Sequence, residues 1–195
     1  MIDPEIRPGG EGRLDWRDVF GNARPVELEL GFGKARFLLA AARSRPGVNY
    51  LGVEVSRKWY REGKRRILRD PPANLRVLWA EALDFLARKV PDASLRALHV
   101  YHPDPWPKRR HHKRRLLTPA FLEQARRVLA AGGELRVTTD HAEYGALIGE
   151  LLAGAEGFEA LPWGEAGEAL THFEAKYRRE GRVIHRFRAR RREAS

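Results

Sequence analysis

Glu29-Leu30-Gly31-Phe32-Gly33-Lys34-Ala35 closes a short strand pattern, Val26–Leu30, and runs into an Ala/Leu-rich stretch whose apolar positions 37, 38, 41 and 42 have helical spacing. A strand, a turn with two glycines and a helix form the unit with which open α/β sheets meet nucleosides. Glycine lets a ligand approach the backbone at the carboxyl end of the strand. The dinucleotide fingerprint G-x-G-x-x-G would need glycine at position 36, where this chain has Arg36. Glu29 would repel a pyrophosphate, and it suits a ligand with a positive centre or an amine. A second acid, Glu54, ends the next strand pattern roughly 20 residues after Gly33, where a carboxylate can accept both hydroxyls of a ribose.

Outward from this turn, strand and helix patterns alternate. Strand patterns occupy 50–55, 75–79, 95–102 and 135–139. Helix patterns occupy 34–43, 57–68, 83–90, a stretch opened by Thr118-Pro119 and closed by Gly132-Gly133, and 142–152. Strands and helices that alternate five times, at spacings suited to right-handed crossovers, predict a single α/β fold. Its sheet is mostly parallel, with helices on both faces. The stretches 158–161 and 183–189 lie close in the chain and predict an antiparallel edge. Residues 1–24 are polar and Gly/Pro-rich and read as an N-terminal arm with a short helix near Trp16; 25–195 reads as the main domain.

The 195 residues are 43% hydrophobic, enough for a core and for one ordinary domain. Cysteine is absent, which excludes disulfides and thiolate chemistry. No run of about 18 apolar residues suggests a spanning helix, and the opening residues lack the basic-then-apolar pattern of a secretory signal. A cytoplasmic location is expected. The formal net charge is +11. Six cations and no acid lie between Trp106 and Arg115, and nine cations against Glu180 alone lie between Lys176 and Arg192. Charge gathered in two clusters points to a polyanion, nucleic acid before membrane.

Four further motifs carry chemistry. Ala80-Glu81-Ala82 follows the third strand, where an acid can accept from an adenine amine. His102-Pro103-Asp104-Pro105-Trp106-Pro107-Lys108 ends the fourth strand and leads into Arg109-Arg110-His111-His112-Lys113-Arg114-Arg115. Three prolines there fix the backbone and mount a carboxylate beside an aromatic face and phosphate-binding cations. His111 and His112 are adjacent, so their side chains diverge, and no metal site is expected. Thr138-Thr139-Asp140-His141 ends the fifth strand, where Thr139 or Asp140 also suits a helix cap. Thr171-His172-Phe173-Glu174-Ala175-Lys176-Tyr177 precedes the last strand and by itself reads as a polar turn. A sulfonium and an α-amine with no phosphate, as in S-adenosylmethionine, would satisfy the glycine turn and Glu29 together.

In this order the five motifs resemble the bacterial tRNA (guanine-N7)-methyltransferases, from about Trp16 to Arg188. The Pro103–Lys108 segment with its basic trail, and Thr171-x-Phe173-Glu174-x-Lys176, are the most specific elements. The resemblance implies a Rossmann-like S-adenosylmethionine-dependent methyltransferase fold, with 25–195 as its catalytic domain. It implies methyl transfer to N7 of guanine 46 in the tRNA variable loop. By position, Glu29, Glu54, Glu81 and Asp104, with Gly31 and Gly33, would contact the cofactor. Asp104 would be the catalytic acid. Lys108, Asp140, Thr171, His172, Phe173 and Glu174 would contact the tRNA. The chain departs from the family pattern at Ala35, usually glycine, and at Glu81, usually aspartate. A monomer or weak homodimer without metal or obligatory protein partner is expected. The competing readings are a methyltransferase of another RNA and a non-catalytic basic RNA-binding protein.

Overall fold

The structure is a computed structural model that describes residues 5–6, 12–164 and 180–193. The described residues contain seven strands: β1 (Val26–Leu30), β2 (Asn49–Glu54), β3 (Leu75–Trp79), β4 (Leu95–Tyr101), β5 (Leu129–Thr139), β6 (Phe158–Leu161) and β7 (His185–Arg191). They form one sheet in the order β3-β2-β1-β4-β5-β7-β6. The first five are parallel, and β7 runs antiparallel to β5 and β6. The helices are α1 (Trp16–Phe20), α2 (Arg36–Ser44), α3 (Arg57–Ile67), α4 (Ala82–Lys89), α5 (Pro119–Val128) and α6 (Ala142–Ala153). The parallel-cored α/β sheet with an antiparallel edge is therefore as expected.

Cores lie on both faces of the sheet. One gathers Leu28, Leu98 and Val137 with Phe85, Phe121 and Tyr144 of α4, α5 and α6. The other gathers Tyr50 and Tyr101 with Phe37, Leu38 and Ile67 of α2 and α3. Phe20 of α1 is buried in the first core, and Leu14 N–H donates to the Lys89 carbonyl. β1 alternates apolar and acidic residues, a pattern that by itself suits a half-exposed strand. Held centrally between β2 and β4, it is buried on both faces, so Glu27 and Glu29 are only 2% and 4% exposed.

Glu27 is compensated where it lies. Arg45 grips it with two nitrogens at 3.2 and 3.0 Å, and His99 Nε2 lies 3.0 Å from it. Burial alone would raise its pKa, but the bond to His99 and the nearby cations outweigh that and bring it to about 2. His99 Nδ1 lies 2.8 Å from the Tyr101 hydroxyl. Burial favours a neutral His99, which then donates from Nε2 to Glu27 and accepts from Tyr101.

Several boundaries differ from the sequence pattern, most of all where α5 gives way to β5. α5 begins at Thr118-Pro119 as expected but ends at Val128, because Gly132-Gly133 belongs to the lead-in of β5. A Cβ on Gly133 would lie 2.9 Å from the Leu95 carbonyl, so the glycine serves strand packing. The basic loop contains a 3-10 turn, Arg109–Arg114. The strand order reverses between β1 and β4, which places a crevice at their carboxyl ends.

Candidate active site

A cavity of about 950 Å³ opens in that crevice. Its wall runs from Glu29, Gly31 and Gly33 through Glu54 and Glu81 to Asp104. The glycine turn is left-handed three times, at Gly31 (φ 77°), Gly33 (φ 50°) and Ala35 (φ 53°). Ala35 thus stands where glycine would be unstrained, at a cost of roughly 1 kcal/mol. The turn also rests against α3, where a Cβ on Gly63 would come within 2.6 Å of the Gly33 carbonyl. A lone glycine in a helix pattern is the sequence signal for such close packing.

The two acids at this end differ in their partners. Glu54 accepts from Gly33 N–H at 3.0 Å and from Ser56 N–H at 2.8 Å. It braces the turn, while its remaining lone pairs are open to a ligand. Burial raises its pKa despite these bonds. Glu29 Oε2 is buried without a hydrogen-bond partner among the described residues. Burial, with the Glu54 charge adding, raises the Glu29 carboxyl to about 8. A cationic group entering here would meet an acid whose charge is not otherwise compensated, the environment a sulfonium or amine fits. Glu81 is exposed and caps α4, with its oxygens accepting from Leu83 N–H at 3.1 Å and Asp84 N–H at 2.7 Å.

Asp104 is exposed at the far end of the cavity. The residues two before and two after it, His102 (φ 50°) and Trp106 (φ 43°), are both left-handed without being glycine. Such strain persists only where the surroundings enforce it. Arg115 is a main part of that enforcement. Its side chain is 4% exposed, and its Nε donates to the Pro105 carbonyl at 2.7 Å. Its other end donates to Glu143 at 2.9 Å and lies over the Tyr144 ring at 4.9 Å. Arg115 therefore differs from the phosphate-binding cation that the basic run suggested. It ties the Asp104 turn to the start of α6. Lys113 and Arg114 are exposed and border the cavity, and Arg114 stacks on Trp106 at 5.0 Å.

This difference is measurable. Arg115→Ala should destabilise the fold by about 1–3 kcal/mol through its stranded partners, read in denaturant melts. Lys113→Ala with Arg114→Ala should leave the melt in place and lower the salt dependence of RNA binding by up to about two log–log units.

Lys108 is exposed at the entry of the 3-10 turn and lies outside the cavity wall. Asp140 sits behind His102, at 3.6 Å from its Nδ1, and accepts from Arg182 at 2.8 Å. His141, rather than Thr139 or Asp140, caps α6. Thr171, His172, Phe173 and Glu174 lie outside the described residues. No group of three potential metal ligands occurs among the described residues. Sequence reasoning missed Phe37, Trp59 and Tyr101 as cavity wall, since apolar positions on a core face carry no sign of opening onto a crevice.

Residues 23–187 match the model of a family described as putative methyltransferase. The tRNA (guanine-N(7)-)-methyltransferase of Geobacter metallireducens is 37% identical over 88% of this chain and 84% of its own length. The enzyme of the same name from Streptococcus pneumoniae is 31% identical over 92% and 87%. The chain belongs to the tRNA (guanine-N7)-methyltransferase family. Among solved structures, a SAM dependent methyltransferase from Aquifex aeolicus aligns with a TM-score of 0.59 at 14% identity, over 85% of this chain and 81% of that one. The aminoglycoside resistance methyltransferase NpmB1 aligns at 0.55 and 20% identity, over 86% and 87%. These two likenesses establish the family's methyltransferase fold here and nothing about substrate. No helix among the described residues is long and apolar enough to cross a membrane.

Proposed function

We propose that this protein transfers the methyl group of S-adenosylmethionine to N7 of a guanine in tRNA, at position 46 of the variable loop. One observation carries this reading. A single cavity joins a buried, unpartnered acid at a glycine turn to a rigidly mounted exposed acid beside an aromatic and two cations. When bound, S-adenosylmethionine supplies a sulfonium methyl open to displacement. Glu29 faces its cationic end, Glu54 takes the ribose hydroxyls, and Gly31 and Gly33 admit its backbone-hugging chain. Glu81, already engaged at α4, contributes its remaining acceptor capacity to the adenine amine.

Guanine N7 has an in-plane lone pair and no proton, so this chain needs no general base. Its task is to align N7 with the methyl and to meet the positive charge that grows on the purine. Asp104 does the second, stabilising that charge more in the transition state than in the ground state. Lys108, Asp140 and 171–174 contact the tRNA, with 25–195 acting as the catalytic domain and 1–24 as its arm. The protein works in the cytoplasm as a monomer or weak homodimer, without a metal.

The test is incubation with methyl-labelled cofactor and unmodified tRNA, followed by chain cleavage specific for N7-methylguanosine. Label at position 46 is expected, and label elsewhere or none overturns the reading. Glu54→Ala should weaken cofactor binding by about tenfold or more, since two charge-assisted bonds are worth roughly 1.5–3 kcal/mol. Calorimetry with Glu54→Gln alongside separates the lost charge from the lost brace on Gly33. Unchanged affinity in both variants would take Glu54 off the ribose.

A further inference from the structure

Residues 57–69 hold seven cations and one acid, Glu62. In α3 Tyr60, Gly63 and Ile67 are buried on the core side. Lys58, Arg61 and Arg65 recur at i, i+3 and i+7 on the opposite side and are exposed. Glu62 lies 3.7 Å from Lys34. Among the described residues no carboxylate pairs with Lys58, Arg61 or Arg65. β7 and the residues leading into it, from the richest basic run in the sequence, behave differently. There Arg188 pairs with Glu134 at 2.5 Å, Arg190 with Glu159 at 2.8 Å and Arg182 with Asp140 at 2.8 Å. The uncompensated positive charge therefore lies on α3 as well as on the 3-10 turn, and less on β7 than its run of arginines suggests.

Both of those basic elements border one cavity, α3 through Trp59 and the basic turn through Lys113 and Arg114. Aromatic rings accompany the α3 cations. Lys34 and Lys58 approach the Trp59 ring at 5.5 and 5.2 Å. Arg57 lies over the Trp79 ring at 4.5 Å, and Trp79 is 47% exposed. Like charges three and four residues apart repel along a helix, and interspersed acids would normally relieve this. Here Glu62 pairs with Lys34 and Glu5 with Lys64, which leaves Lys58, Arg61 and Arg65 without an acid among the described residues, so a polyanion would relieve their repulsion.

We propose that the outward face of α3, centred on Lys58, Arg61 and Arg65, binds the sugar-phosphate backbone of the substrate tRNA. This second basic bank of the cavity rests on the function proposed above. The stripe spans about 10 Å along the helix axis, enough to meet successive phosphates of one strand while the guanine reaches Asp104.

The test is a variant with Lys58→Gln, Arg61→Gln and Arg65→Gln together, compared with wild type for binding of unmodified tRNA across a salt series. Cofactor affinity in the same preparations reports the fold. The expected result is tRNA binding weakened at least tenfold near physiological salt. The log–log salt slope should fall by about two units or more, at 0.7–0.9 per lost contact. Unchanged affinity and slope, with wild-type methylation of tRNA intact, overturns the surface and leaves the function standing. Loss of RNA affinity in the variant, with no methylation by the wild type, does the reverse. If the triple change abolishes binding to phosphatidylserine-containing vesicles and spares tRNA, the face is a membrane surface and the proposal fails.

Discussion

Asp104→Asn should lower the single-turnover methylation rate at saturating tRNA and cofactor by roughly 10²-fold or more, the scale of losing one preorganised electrostatic contact. The fold should survive the change. Three prolines and the Arg115 bond to the Pro105 carbonyl hold the turn, with its strained His102 and Trp106, and neither uses the Asp104 side chain. tRNA affinity should stay within a few-fold, because phosphate contacts supply most of it. A different result would follow if Asp104 only gripped guanine N1–H and N2–H. The amide would then keep one acceptor and present a repelling donor, so the Michaelis constant would rise alongside any rate loss. A wild-type single-turnover rate would remove Asp104 from the chemical step and leave Asp140 and Glu174 as the acids to test.

Glu29→Gln should weaken S-adenosylmethionine binding by roughly 10²-fold or more, the scale of removing one partner from a buried charge pair. The change should also abolish a pH dependence. In the free protein the Glu29 carboxyl sits at about 8, against 4.5 for the ordinary group. Between those values the native state holds a proton that the unfolded chain has lost. The contribution of Glu29 to stability is therefore full below about pH 4.5 and declines as pH rises through 8. A cation in the cavity reverses the preference and favours the ionised acid. Cofactor affinity should then rise between pH 6 and 8, and binding near pH 7 should release a proton. Calorimetry in two buffers of different ionisation enthalpy measures that release directly. No release from the wild type, or equal release from Glu29→Gln, would mean that Glu29 does not face the cofactor's charge.

The sequence by itself determined the architecture, because its signals are local. The glycine turn after Val26–Leu30, the alternating apolar periods and the Thr118-Pro119 cap are each read from neighbouring residues. The sheet they imply is the one found. The Pro103–Lys108 segment was equally legible, since prolines constrain the backbone wherever they occur. What the sequence left open depends on who lies beside whom. β1 reads as a half-exposed strand, and only its central place in the sheet buries Glu29 and raises its pKa. Arg115 reads as the last cation of a basic run, and only the approach of α6 turns it inward onto Pro105, Glu143 and Tyr144. The arginines of β7 read as part of one of two polyanion-binding clusters, and only strand pairing brings Glu134 and Glu159 against them. Burial and charge compensation are set by contacts distant in the chain. The tertiary structure therefore decided which acids stay uncompensated in the cavity and which cations remain open to an anionic partner.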